Sequence, residues 1–512
     1  MLRLFQASFF YRLLDRLFAA VTESFFNSGI YKILRFFART WTEFAKGSIF
    51  VKLILRLNRG FSGLSERSFL LRHFLHVPDG IERSRGSIVY KLCAWVRTLC
   101  YRLVCLLGLE GALADSLFAK PAFWCIFAVT LTPFLPTMAV LGPVLLSFLA
   151  MGLELARQKD LKPRYFSVSK YVYFYAFIYI LATAASWRRG GSAFITALIV
   201  AFLLFTVVLL RAVRTRGALR TMIYLMAAAG AAVALYGLYQ FFISAPRAAD
   251  AWVDQNMFDI DVRVFSTFEN PNVLGTYFLL IIPLALACMI TVGERVGRVF
   301  FAGAVALMGL TLILTYSRGA YLGILVALAL FFVLLDKRFI VPGVIALVIA
   351  AMLLPDAILT RFLSIGDMTD TSTAYRVSIW MGTLSMIGDH WLVGIGPGLD
   401  TWQVVYPVYA YAAAVAHHSH NLFLQILAEL GVLGFLVFVL MIYHFYKYSC
   451  SGLPAKGERR VFSIAVISAV TGFLVMGLTD YALYNYRLRL LFWAVLGIGF
   501  LNRVLSDDEE AA

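Results

Sequence analysis

The chain has 512 residues, of which 61% are hydrophobic and 14% charged, and its mean hydropathy is +0.82. That balance excludes an ordinary soluble domain, and apolar runs of about 17–25 residues mark a polytopic helical membrane protein. The net charge of +16 on so apolar a chain argues against nucleic acid and for anionic lipid headgroups as its electrostatic partner.

Residues 1–120 hold 18 Lys/Arg against 8 Asp/Glu, and their pattern is amphipathic rather than spanning. Phe9, Phe10, Leu13, Leu14, Leu17 and Val21 form one apolar stripe, and Ile30, Ile33, Leu34, Phe37, Trp41 and Phe44 a second. Basic helices of this kind lie in the membrane interface, on the cytoplasmic face; a small helical domain packed on the membrane core is compatible with the same pattern. Arg3, Arg12, Asp15 and Arg16 interrupt any signal-peptide core. The six cysteines form no CxxC pair and read as small packing residues.

From Pro121 onward the apolar runs predict twelve spans, over 122–137, 138–156, 170–187, 191–210, 219–243, 271–292, 298–316, 318–335, 338–354, 421–445, 461–482 and 488–505. The expected architecture is an all-α polytopic membrane protein with about twelve transmembrane helices over 121–505. It has the basic region 1–120 before it and a short acidic tail, 506–512, after it. The connections 157–170, 211–220, 293–298, 336–338 and 447–460 are basic and fall on one side. By the positive-inside rule that side is cytoplasmic, with both termini. The long connections 244–270 and 355–420 then face outward; the first carries Asp250, Asp254, Asp259, Asp261 and Glu269.

The connection 355–420 is too long to be a plain link. Within it, TAYRVSIWMGTLSMIGDHW reads as a surface-lying helix and GIGPGLDTW as a glycine-rich chain reversal, a weak candidate anion cradle. At its end stands AHHSHNLFLQILAELGVLG, residues 416–434. His417, His418 and His420 meet the start of a hydrophobic helix, and Asn421, Gln425 and Glu429 continue inward on one face. Imidazole moves protons near neutral pH, and polar groups on a membrane helix face usually line a protein interior or a wet cavity. Gly431 and Gly434 read as small residues for close helix packing.

Three arginines share the expected outer side. Arg318, in LTYSRGAYLG, sits in a tight polar turn between two spans; Arg376 lies in the long loop; Arg263 opens RVFSTFENPNVLGTY, which also holds Glu269 and Asn272. Snorkelling to headgroups is the ordinary fate of a boundary arginine, but a guanidinium also binds phosphate oxygens in bidentate fashion. Asn270, Pro271 and Asn272 suit a helix start. The histidines are too crowded in sequence for all three to ligate one ion from a helix, and no zinc spacing emerges, so neither a metal nor another cofactor is expected. A packed His420 stays open beside a catalytic one. Guanidinium groups that neutralise a diphosphate leaving group, with a histidine that takes a hydroxyl proton, would suit transfer from a lipid-linked diphosphate without a metal.

At these residues the sequence resembles the O-antigen ligase and polymerase superfamily of membrane glycosyltransferases. His420, Asn421, Gly431 and Gly434 fit the ligase spacing of His, then Asn, Ser or Gln, nine residues, Gly, two residues, Gly, while Arg318 and Leu322 fit Arg, three residues, Leu. TFENPNVLGTY, RVSIW and GDHWLVGIGPG are similar to family segments around the large loop. The resemblance covers about 121–505 and leaves 1–120 unassigned. It implies a GT-C-like, metal-independent transferase in the bacterial cytoplasmic membrane. The donor would be an undecaprenyl-diphosphate-linked glycan at the outer face, and the acceptor a glycan, lipid or protein hydroxyl. It implies a catalytic His420 with Arg318 and Arg376 on the diphosphate. Arg263, Glu269, Asn272, His417 and Asn421 would contribute to substrate binding, and Glu269 is an alternative base. The competing class is a polytopic transporter or flippase of lipid-linked glycans, which twelve spans alone would suit. A scaffold leaves Arg318 and His420 unexplained.

Overall fold

The computed structural model describes residues 116–157, 167–243, 263–339 and 371–505, apart from 415, 452 and 455, with isolated residues within 95–102 and 343–352. The amphipathic region 1–120 lies almost wholly outside the described residues. So do most of the span expected at 338–354, most of the loop 244–270 and the tail 506–512.

Every regular element among the described residues is helical. In chain order they are α1 (Pro121–Leu131), α2 (Thr137–Arg157), α3 (Ser167–Ala184), α4 (Arg189–Ala212), α5 (Arg216–Phe242), α6 (Pro271–Thr291), α7 (Arg295–Ile313), α8 (Arg318–Leu335), α9 (Thr371–His390), α10 (Leu399–Val405), α11 (Leu422–Ser451), α12 (Glu458–Met476) and α13 (Tyr486–Val504). Eight of them, α2, α4–α8, α11 and α12, are long and apolar enough to cross a membrane. The chain is therefore a multi-pass membrane protein.

Two helices form the centre. Every residue of α13 from Arg487 to Asn502 is buried, and α6 is buried from Val273 to Cys288. A helix apolar on all faces belongs inside a bundle, and the others pack around this pair. The α8–α12 contact depends on missing side chains. Gly319, Gly323 and Ala327 follow one another at a spacing of four on α8. A Cβ on Gly323 would come within 2.8 Å of the Gly472 carbonyl on α12, and one on Gly472 within 2.9 Å of Ala327 Cβ. Close backbone approach through small residues lets membrane helices associate without a hydrophobic driving force. Here it presses the N-terminus of α8 against the C-terminal end of α12.

Three expectations change. The first predicted span, 122–137, is only the 11-residue α1. At 1.5 Å per residue it reaches roughly 16 Å, about half of a hydrocarbon core; a turn at residues 132–136 ends it. The predicted surface-lying helix is α9, but one of its faces is buried. Ile379 and Met386 join Ile395, Trp402, Tyr406 and Ala428 in a second hydrophobic core, so the described part of the long connection, from residue 371 on, is a packed cap on α11.

Gly431 is the third. It interrupts α11 with φ 65° and ψ −172°, a conformation open essentially to glycine alone. Residues 391–396 lie along the interruption. Ile395 N–H donates to Ala428 O (2.9 Å), Gly396 N–H to Glu429 O (3.1 Å) and Val432 N–H to Trp391 O (2.7 Å). A Cβ at 431 would collide with the Leu392 carbonyl. Gly431 thus breaks a helix and admits the turn segment 391–396, rather than easing helix–helix packing. The amides of Gly394, Ile395 and Gly396 in the glycine-rich turn are thus engaged, the first by His390 O (2.9 Å).

Candidate functional site

The site is built from five connected segments at one end of the bundle. Residues 263–272 lead into α6. Asn270 caps that helix by accepting from Asn272 N–H (2.8 Å) and Val273 N–H (3.4 Å), with Pro271 in the first turn. Val264 N–H donates to Leu314 O at the turn between α7 and α8 (3.0 Å). Leu422 N–H, at the start of α11, donates to Gly477 O at the end of α12 (2.7 Å). Arg487, at the start of α13, donates from Nη1 to Thr267 O (2.8 Å). The segments 263–272, 314–319, 416–422, 477–481 and 482–487 therefore meet at one end.

His420 lies at the focus. Its Nδ1 is 3.2 Å from Asp480 Oδ1, and the carboxylate also accepts Tyr481 N–H at 2.8 Å. Asp480 is 5% exposed. Burial alone would raise its pKa. The hydrogen bond from His420 and its interaction with that ring and with Arg376 outweigh burial and hold the carboxyl well below its ordinary range. An ionised Asp480 fixes the proton on Nδ1 and leaves the Nε2 lone pair of His420 available as a base. Asp480 is 60 residues from His420, and no local pattern in LTDYALYN marks it; sequence reasoning missed it for that reason.

His418 flanks the pair, its ring centroid 4.2 Å from that of His420 and 4.9 Å from that of Tyr484. Burial first, then the neighbouring His420 ring, push its pKa down to about 3, so it is neutral at physiological pH. Its Nδ1 accepts His420 N–H at 3.3 Å. The donor atoms of His418, His420 and Asp480 lie within 4.8 Å of one another, close enough for the trio to be able to hold a metal ion. Crowding of three histidines on a helix does not apply to this set, because His418 and His420 stand in a loop and the third donor is an aspartate.

The remaining expected site residues divide. Arg318 is 9% exposed at the first position of α8, and the adjacent Gly319 packs directly on Thr479, the neighbour of Asp480. Arg376, on α9, is near enough for its charge to act on Asp480. Arg263 is buried among backbone and side-chain acceptors: Nε donates to Thr315 O (2.9 Å) and Nη2 to Asn272 Oδ1 (3.1 Å). Glu269 is exposed at φ 62°, and its charge acts on Arg487, an arginine that sequence reasoning did not single out. Asn421 is spent on structure: its Oδ1 caps α11 through Phe423 and Leu424 N–H, and its Nδ2 donates to Leu478 O at 2.9 Å. His417 is exposed and pairs with Gln403 at 3.1 Å, apart from the Asp480 cluster.

Backbone strain gathers at the same end. Five non-glycine residues among those described have positive φ: Ser266, Glu269, Tyr316, Ala412 and His420. Four of the five lie in the segments just joined, two residues from Arg318 in the case of Tyr316. Each costs on the order of 1 kcal/mol, and such strain persists only where the surroundings over-determine it, commonly at active sites.

Comparison with known proteins bears on this region. Residues 303–439 match the family model described as O-antigen ligase. The match takes in Arg318, Arg376, His420, Asn421, Gly431 and Gly434, and stops before Asp480. No curated protein matches the chain.

Proposed function

We propose that this chain, O-antigen ligase-like over residues 303–439, transfers or polymerises a glycan at the outer face of a bacterial cytoplasmic membrane. The likeness supports a membrane glycosyltransferase of the O-antigen ligase/polymerase kind. The donor would be a glycan on undecaprenyl diphosphate, and the acceptor a glycan, lipid or protein hydroxyl. The observation that carries the reading is the His420–Asp480 pair at 3.2 Å, beside the buried Arg318 turn.

His420 Nε2 takes the proton of the acceptor hydroxyl, and Asp480 stabilises the imidazolium that forms. The hydroxyl oxygen bonds to the donor's anomeric carbon while the bond from that carbon to the phosphate oxygen breaks. The electron pair leaves with the undecaprenyl diphosphate, whose charge Arg318 and Arg376 neutralise. Arg263, which donates to both Asn272 and Thr315, braces the Arg318 turn. Glu269 and Arg487 stand beside the entrance to α6 as further substrate contacts. Positive charge comes from guanidinium groups, so the step needs no metal.

Membrane vesicles from the protein's native cells supply the acceptor, and release of undecaprenyl diphosphate from added donor reports transfer. His420→Ala should abolish release with membrane insertion intact; full release would sink the assignment. Chelator should leave the rate unchanged. Loss with chelator and recovery with zinc would hand the His418–His420–Asp480 cluster to a metal. Donor that crosses the bilayer with no new glycosidic bond would support a flippase instead.

A further inference from the structure

Beneath the pair lie polar groups that the transfer step does not use. Gln425 and Glu429 on α11 and Arg489 on α13 are 2%, 5% and 3% exposed. Charged side chains in the interior of a membrane bundle are expensive and tend to be committed to a task. Arg489 donates from Nε to Leu483 O (2.9 Å), from Nη1 to Tyr179 Oη (3.1 Å) and from Nη2 to Tyr481 Oη (2.9 Å). Gln425 Nε2 donates to Glu429 Oε1 at 3.0 Å, which also accepts Gly398 N–H at 3.4 Å. The charge of Glu429 acts on Arg489 across the gap between the two helices.

Two arms rise from these groups to the reacting pair. Gln425 Oε1 accepts the N–H of Ser419 at 2.7 Å, the residue just before His420. Tyr481, whose hydroxyl is held by Arg489, is the residue just after Asp480 and donates its own N–H to that carboxylate. Each member of the pair is thus gripped one residue away, one by the Gln425–Glu429 pair and the other by Arg489 through Tyr481. His420 itself stands in the left-handed region, at φ 49°, a state that lasts only if its flanks are pinned.

We propose that Gln425, Glu429 and Arg489 are positioning residues that hold His420 and Asp480 at hydrogen-bond distance. The inference rests on His420 acting in transfer as described above. Because a displacement of about 1 Å in a catalytic group costs on the order of a hundredfold in rate, looser flanks should reduce turnover rather than donor affinity.

The test uses the full chain in the vesicle assay, with donor concentration varied. Gln425→Leu removes the Ser419 contact; turnover should fall at least tenfold at a donor KM within twofold of the parent. The reciprocal exchange Gln425→Glu with Glu429→Gln keeps a donor and an acceptor on the same pair and should restore turnover to within threefold. A network that merely stabilises the bundle would lower the amount of folded protein and leave the turnover of the remainder unchanged, and that result overturns the proposal. If Gln425→Leu does not accumulate, Tyr481→Phe decides, since it deletes one hydroxyl. A turnover several-fold below the parent supports the network, and parental turnover overturns it. His420→Ala runs alongside. Full activity there would remove the functional reading itself, whereas an inactive His420→Ala with a parental Gln425→Leu would remove only the positioning role.

Discussion

Both ends of the bundle bury arginine, and they use it differently. At the end formed by 211–220, 447–460 and 502–503, the guanidinium groups tie chain ends together. Arg216 donates to Asn502 Oδ1 at 2.7 Å and faces Glu458. Arg459 donates to Arg503 O at 2.7 Å, Arg460 to Leu334 O, and Arg220 to Glu458 at 3.1 Å. None of the five positive-φ non-glycine residues lies there. At the opposite end the arginines stand with an ionised aspartate, two histidines and four of those strained residues. The first end spends charge on closure. The second spends stability on geometry, as a site that must act on a ligand does.

That contrast can be broken by experiment. Asp480→Asn should have the largest effect, about a thousandfold in kcat, because an amide no longer holds His420 in the tautomer with a free Nε2. A loss below tenfold in the vesicle assay would detach Asp480 from the chemistry. Arg318→Lys keeps the charge but loses the bidentate fork, and release should fall about a hundredfold; parental activity would make Arg318 a structural charge like Arg216. Gly431→Ala should cost about 2 kcal/mol of stability, read as a lower melting temperature, because a Cβ there strikes the Leu392 carbonyl. An unchanged melting temperature would contradict the interruption of α11. Arg216→Met should cost about 1.5 kcal/mol while turnover per folded molecule stays within twofold. A selective loss of turnover would place the basic end in the mechanism.

The last effect is on pH dependence. Folding lowers the pKa of His418 from 6.5 to about 3, so the unfolded chain binds that proton more readily. Its contribution to stability is full above about pH 6.5 and is lost as pH falls towards 3. His418→Phe should therefore flatten the drop in melting temperature between pH 7 and 5, above the range in which Asp480 titrates. An equal drop in both proteins would mean that His418 is not buried as a neutral ring.

Much of the bundle was legible because hydrophobic runs report local burial. α4, α6, α8 and α13 fall close to their predicted ranges. Where a reading failed, the deciding contact was distant in sequence. The run at 122–137 is the exception, because Pro133 and Pro136 mark a break in the sequence itself and the helix there has only 11 residues. Gly431 looks like a packing glycine until residues 391–396 are laid against it. Arg263 and Asn421 read as ligands, yet their donors and acceptors are engaged by Thr315, Asn272, Leu478 and the first turn of α11.

The sequence by itself determined the solvent, through composition and period, and the chemical inventory, through His420, Arg318, Arg376 and their spacing. It also gave the expectation that the basic connections share one side, since alternation along the chain carries that information. Tertiary structure decided the partnerships. Asp480 becomes the carboxylate partner of His420 because the start of α11 bonds the end of α12 through Leu422 N–H and Gly477 O, and Thr479 meets Gly319 because Gly323 and Gly472 let α8 and α12 touch backbone to backbone. Periodicity records which face of a helix is buried, but which two buried faces meet is a property of side-chain volumes matched across helices, and no single stretch of chain contains it.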